Sequence, residues 1–369
     1  MSEASPAGLT PIDLLRLGWS DSWAASFEPL RSAGLDPARV LSEERGRCLV
    51  AAATGEAWAS VAGRLRHEAA SAEDMPAVGD WVGVAGVTGS SPVIQAVLPR
   101  QSRFARPARG DVPGAEVVAA NIDLVLVVMA LDHDFNVSRL ERYMALVLSS
   151  GAEPLIVLNK ADLCADVAER VADAHAAAPG VPVVVLSALT GTGIDDLRPW
   201  LEPGRTMCLV GSSGVGKSTI VNVLLGWQRQ ATAPLRADQR GRHTTTRREL
   251  LLTPSGALLV DSPGMRSVGM WDAEEGIDGA FSDIDELAVG CRFSDCGHGA
   301  EPGCAVQDAV ANGTLAARRL ESRRKLEQEL AAMEHRRSAG GRAEQRRRRR
   351  HREKFVRGRT NAQDGGDAT

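Results

Sequence analysis

The segment GSSGVGKST at residues 211–219 limits the fold more than any other feature of the chain. A G-x-x-x-x-G-K-S run cradles phosphate only where it joins a buried strand to the first turn of a helix, and the flanks TMCLV and KSTIVNVLL read as that strand and that helix. Gly211, Gly214 and Gly216 let backbone N–H groups close around phosphate oxygens, Lys217 brings charge to the β and γ phosphates, and the Ser218 hydroxyl is a magnesium ligand. The whole run, with Ser212, Ser213, Val215 and Thr219, is a candidate nucleotide-binding loop. A chance glycine-rich turn is the competing reading, and it would not require both flanks.

The surrounding pattern is that of an α/β parallel sheet. Apolar runs IDLVLVVMAL, PLIVL, VPVVVL, TMCLV and ALLV alternate with helical stretches such as SRLERYMALVLSS and DVAERVADAHAAA. The base is chosen by NKAD, residues Asn159, Lys160, Ala161 and Asp162, at the end of PLIVL. The Asp162 carboxylate accepts two hydrogen bonds from the ring N–H and exocyclic amine of guanine. Adenine offers no such donor pair and would leave the carboxylate unsatisfied, so selection is energetic. A helix-start Asn or Asp cap is the alternative for these four residues. Ser187 and Ala188, in VVVLSALTGTG, end the next strand and are read as backbone N–H donors to the guanine carbonyl.

Strand ALLV runs into DSPG, where Asp261 holds the magnesium shell through water and the Gly264 N–H meets the γ phosphate. Upstream, GRHTTTRREL offers Thr244, Thr245 and Thr246 as switch threonines, and Thr245 is taken as the magnesium ligand; a Thr-rich turn is the alternative. Met265 follows Gly264 where Ras-like GTPases carry a water-orienting glutamine, which leaves His243, beside the threonines, as the nearest polar candidate for catalysis. The motif order is rotated: guanine motif, phosphate loop, switch, DSPG. A parallel sheet whose natural ends lie close together accepts that permutation.

Beyond the sheet, CRFSDCGHGAEPGC holds Cys291, Cys296, His298 and Cys304. Three thiolates and one imidazole complete a tetrahedral set for one structural zinc per chain, with no open position for catalysis. The remaining cysteines, Cys48, Cys164 and Cys208, are scattered, which is not a secreted disulfide framework.

Composition narrows the setting. A chain of 369 residues with 44% hydrophobic content is long enough for more than one domain. No apolar run approaches the roughly 20 residues that cross a bilayer, and the start, with Glu3 and Asp13, is not a secretion signal, so a cytoplasmic protein without a membrane segment is expected. Residues 318–359 hold 17 Arg/Lys against 6 Asp/Glu, a surplus of 11 that leaves the remainder at −15 against the overall −4. A polyanionic partner fits such a tail, and so does a merely solvated one.

Together GSSGVGKST, GRHTTT, DSPG, CRFSDCGHGAEPGCAV and the upstream GDWV make the chain resemble the ribosome small subunit-dependent GTPase A family (RsgA), from about Arg39 to the helix after residue 310. The resemblance implies a multi-domain protein: an all-β OB-fold barrel, a circularly permuted α/β P-loop GTPase, and a mainly helical zinc domain. It also implies GTP hydrolysis, with magnesium, in late maturation of the 30S ribosomal subunit, stimulated by that subunit and involving 16S rRNA. The expected organisation is an N-terminal extension (1–38), an RNA-binding barrel (39–110), the GTPase domain (111–270), the zinc domain (271–338) and a basic disordered tail (339–369), in a monomer. A nucleotide-gated RNA-binding protein with incidental hydrolysis is the main alternative, and a P-loop ATPase or kinase is disfavoured by NKAD.

Overall fold

A computed structural model describes residues 12–44, 46–87, 91–107, 115–133, 135–226, 248–261, 274–299, 301–333 and 335. Strands β1 (Asp36–Glu44), β2 (Arg47–Ala52), β3 (Gly55–Val61), β4 (Trp81–Ala85) and β5 (Val93–Val97) close on themselves in the order β1-β2-β3-β5-β4-β1. All pairs are antiparallel except β3 with β5, where Val61 lies beside Ile94. This is the Greek-key closure of an OB-fold. Alternate residues turn inward, so Val40, Val50, Ala59, Val82, Val84 and Ile94 fill the barrel.

Residues read from sequence as an extension are folded against this barrel. Asp13 caps a 3₁₀ turn at Leu14–Leu17, and the Ser20 hydroxyl accepts from the Trp23 N–H to start helix α1 (Asp21–Ser32). Trp23 and Phe27, one helical turn apart, are buried, while Trp19 meets Trp81 edge-on at 4.7 Å between ring centroids. Strand β1 also starts at Asp36, before the boundary drawn at residue 39. A short helix α2 (Gly63–Glu68) follows β3.

The antiparallel pair β6 (Arg103–Pro107) and β7 (Ala115–Ala120) leads into the second sheet. Its elements are β8 (Leu124–Ala130), α3 (Val137–Ser150), β9 (Glu153–Asn159), α4 (Val167–Ala177), β10 (Val183–Val185), β11 (Thr206–Val210), α5 (Lys217–Leu224), β12 (Glu249–Leu252) and β13 (Leu258–Asp261). The order β10-β9-β8-β11-β13-β12 is parallel except that β12 runs against β13. Every residue of β8 is buried, as a central strand covered on both faces must be. The outer edge of β12 pairs with β1 through Ser42 and Glu249, so barrel and sheet are continuous.

Arg39 fixes the same junction from inside. Its guanidinium donates to the Gly79, Leu17 and Asn121 carbonyls and to Thr206 Oγ1 at 2.8 Å, with the Trp81 ring 5.2 Å away. Burial lowers its pKa to about 10 against the pull of Asp123 and Asp80, so it stays charged at neutral pH.

The C-terminal part is helical: α6 (Glu274–Ala280), α7 (Ser282–Ala288), α8 (Ala305–Ala311) and α9 (317–333). Helix α6 lies so close on α3 that a Cβ at Gly276 would stand 2.1 Å from the Ala145 carbonyl oxygen. Among the described residues no helix is long and apolar enough to cross a membrane.

Candidate nucleotide and metal sites

Parallel strands leave their carboxyl ends at one edge of the sheet, where ligands of open α/β folds bind. Residues 211–216 lie there, between β11 and α5. Gly211, Gly214 and Gly216 have φ of 142°, 84° and 98°. A Cβ at Gly211 would come within 2.3 Å of the Val128 oxygen, and one at Gly216 within 2.2 Å of Asn159 Nδ2, so both positions exclude any side chain. The Lys217 ammonium donates to the Gly211 and Ser212 carbonyls, which holds it over the loop. Ser218 and Thr219 are exposed on the first turn of α5, and Ser213 is exposed on the loop itself.

Buried Asn159 ties three sequence motifs together. Its Nδ2 donates to the Val215 carbonyl at 2.8 Å and its Oδ1 accepts from the Ala188 N–H at 3.0 Å. Lys160, at φ 64°, is turned back so that its ammonium meets Asp132 at 2.8 Å. Ala161 and Asp162 begin a 3₁₀ turn that has no side-chain cap, and α4 has none either, so Asp162 does not serve as a helix cap. Its carboxylate is exposed and accepts no hydrogen bond from the described residues.

The reading of Ser187 and Ala188 as donors to a guanine carbonyl meets a difference. The Ser187 N–H already donates to the Thr192 carbonyl and the Ala188 N–H to Asn159, so a base carbonyl would share the Ala188 donor with Asn159. Two residues that the sequence reading passed over also line the site. Arg139 of α3 donates to Ser212 Oγ at 2.8 Å, and Asp132, at the end of β8, receives Lys160. Nothing in SRLERY distinguishes Arg139 from a solvated helix residue, because the contact exists only once α3 and the loop are juxtaposed.

Asp261 ends β13, the parallel neighbour of β11, and stands opposite Glu249 of β12. Its carboxylate, and the Ser218 hydroxyl on the helix that follows the neighbouring strand β11, are hard oxygen donors, the type magnesium takes. His243, Thr244, Thr245, Thr246, Gly264 and Met265 lie outside the described residues.

The four donors of Cys291, Cys296, His298 and Cys304 lie within 4.8 Å of one another. Cys291 Sγ and Cys304 Sγ are 3.9 Å apart, and each is 3.6 Å from His298 Nδ1. A tetrahedral ion about 2.3 Å from sulfur and about 2.0–2.1 Å from nitrogen would have edges of about 3.8 Å and 3.6 Å. Cys291, Cys304 and His298 therefore stand at zinc spacing, and Cys296, within 4.8 Å of them, completes a donor set of the type zinc takes. His298 takes a left-handed φ of 56°, and its carbonyl is held by Gln307 and Arg324, so the loop is tied to α8 and α9.

Comparison with known proteins agrees with this geometry. The family model described as RsgA GTPase matches residues 97–271. A protein of Opitutus terrae named small ribosomal subunit biogenesis GTPase RsgA is 47% identical over 331 residues, spanning 87% of this chain and 90% of that protein. The crystal structure of YjeQ from Thermotoga maritima aligns with a TM-score of 0.62 at 28% identity, over 80% of this chain and 99% of that one. YloQ, described as a circularly permuted GTPase, shares the fold with a TM-score of 0.60 at 23% identity, over 81% of this chain and 96% of that one. With its loop, guanine motif and rotated strand order assembled at one sheet edge, the chain belongs to the RsgA GTPase family and is a GTP hydrolase.

Proposed function

We propose that this GTPase acts in late maturation of the small ribosomal subunit, binding rRNA through the barrel and the Cys/His module and hydrolysing GTP faster when the subunit is bound. The observation that carries the reading is the span of the likeness. A relative named for small-subunit biogenesis matches 87% of this chain, well past the GTPase sheet into the modules on both sides. OB-fold barrels and zinc modules are common RNA-binding types. In this reading residues 39–110 form the barrel, 111–270 the GTPase domain and 271–338 the zinc domain of a cytoplasmic monomer.

Within the site, Asp162 reads guanine, with Asn159 holding the loop and the Ala188 segment around the base. Residues 211–219 enclose the phosphates, Lys217 neutralises their charge, and Ser218, Asp261 and Thr245 hold magnesium, which supplies electrostatic stabilisation of the transferred phosphoryl group. His243 is the candidate for orienting water, since Met265 has no group to do so. The same Met265 favours the second reading, a nucleotide-gated RNA binder in which hydrolysis is incidental.

The first test is binding. The GTP form should bind purified small subunits more tightly than the GDP form, and each phosphate contact should contribute about 0.7–0.9 log units of affinity loss per tenfold rise in salt. Equal affinity of the two forms, with no salt dependence, would remove the subunit from the account.

A further inference from the structure

We propose that Arg248 is a positioning residue for GTP hydrolysis: it holds β12, and through β12 the Asp261 strand end, against the barrel. The inference rests on the reading of Asp261 as the magnesium-side aspartate.

The geometry is a short relay. Glu249, the first residue of β12, lies opposite Asp261 on one side and opposite Ser42 of the barrel strand β1 on the other. The barrel is thus one strand away from Asp261. The ladder with β13 runs the length of β12, whereas among the described residues β1 and β12 pair at that one register position, so side chains carry the rest of the junction with the barrel.

Arg248 is one of them. Its Nη2 donates to Glu116 Oε1 of β7 at 2.7 Å, and its Nη1 stands 3.8 Å from Glu43 Oε2 of β1. The other oxygen of Glu116 receives Arg106 of β6 at 3.0 Å. One carboxylate on the linking hairpin therefore bridges two guanidiniums, with a second carboxylate from the barrel alongside. The Arg106 and Arg248 side chains are only 7% and 13% exposed. Burial pushes the Glu116 carboxyl up, but the two arginines outweigh it and hold it below the usual carboxylate range.

Glu116 and Glu43 keep 29% and 40% exposure, so the cost of displacing β12 falls on the two nearly buried guanidiniums, which would lose their partners. Arg248 also stands three positions after Thr245 in the chain, so the residue that anchors β12 follows the candidate switch directly. A polyanion that shifts the barrel would be felt at Asp261, and by reciprocity the nucleotide state would alter affinity for that polyanion.

The test is steady-state GTP hydrolysis by the full chain without ribosomal subunits, reading kcat and KM separately. Arg248→Ala should lower kcat about tenfold, the size of a typical coupling energy, with KM for GTP and the folded fraction unchanged. Arg248→Lys should recover part of the loss, because an ammonium still reaches Glu116 but does not span Glu116 and Glu43 together. Glu116→Gln, which removes the bridge from the hairpin side, should reproduce the fall and serves if Arg248→Ala does not fold. Wild-type kcat in Arg248→Ala, or a loss that Arg248→Lys does not restore even in part, overturns the proposal. Asp261→Ala run in parallel separates the two levels of the argument. An inactive Asp261→Ala beside a fully active Arg248→Ala overturns the positioning role alone, and a fully active Asp261→Ala overturns the magnesium reading together with it.

Discussion

Replacing Cys304 with serine is expected to strip the metal from the C-terminal module and unfold the Cys/His loop together with α8. Cys304 is buried and does two jobs. Its sulfur is one of the four donors, and it also accepts the Gln307 N–H at 3.4 Å as the cap of α8. A serine hydroxyl stays protonated at neutral pH and is a poor zinc ligand. Zinc binding contributes on the order of 10 kcal/mol to small domains of this kind, more than the packing of one seven-residue helix can replace. Apart from the metal donors, the 291–304 loop carries few groups able to form a core: its one large apolar side chain, Phe293, is 41% exposed. Metal content should fall from one zinc per chain towards none. Hydrogen exchange in α8 should accelerate while β8, β9 and β11, whose opposite faces pack in a second core without α8, stay protected. A metal-free protein with α8 still protected would contradict the structural-zinc assignment.

Arg319→Met should cost about 3–5 kcal/mol, the usual penalty for removing one partner from a buried ion pair. Arg319 of α9, 5% exposed, donates twice to Asp283 at 2.7 Å, to Glu141 at 3.2 Å, and to the Ala177 and Ala280 carbonyls at 2.9 and 2.8 Å. Its guanidinium also covers the buried Phe281 ring at 4.8 Å. Elements α3, α4, α6, α7 and α9 thus converge on one side chain. Methionine keeps much of the apolar volume and leaves Glu141 buried without its cation. Burial already raises the Glu141 pKa, and the loss of Arg319 raises it further. A carboxyl with a raised folded-state pKa gains relative stability as pH falls through that pKa, so the variant's deficit should shrink in mildly acidic buffer. Denaturant midpoints of both proteins across pH measure this, and a deficit that stays constant on acidification would assign the cost to packing rather than to Glu141.

The family's motifs were legible in sequence because each has fixed spacing on one element. GSSGVGKST needs a strand and a helix beside it, NKAD a strand end, and the Cys/His set a tight loop; all three are local. What was not legible is pairwise and distant. The parallel β3–β5 contact that closes the barrel leaves no mark in either strand, and the Ser42–Glu249 junction joins residues far apart in the chain. Nothing local marks Arg39 or Arg319 as buried, yet Arg39 donates to three backbone carbonyls and Arg319 to two carbonyls and two carboxylates, all distant in the chain. The N-terminal helix was the recoverable miss. Trp19, Trp23 and Phe27 recur every four residues, which is one face of a helix, but the Ser, Pro and Ala content around them obscured it.

GTP turnover of the full chain, followed while purified small subunits are titrated at low salt with ATP as the parallel substrate, shows whether this is a guanine-specific GTPase driven by the small ribosomal subunit. Turnover should rise with subunit concentration and saturate, and ATP should give none at any point. A flat GTP response across the titration, or ATP consumed as readily as GTP, would contradict that assignment.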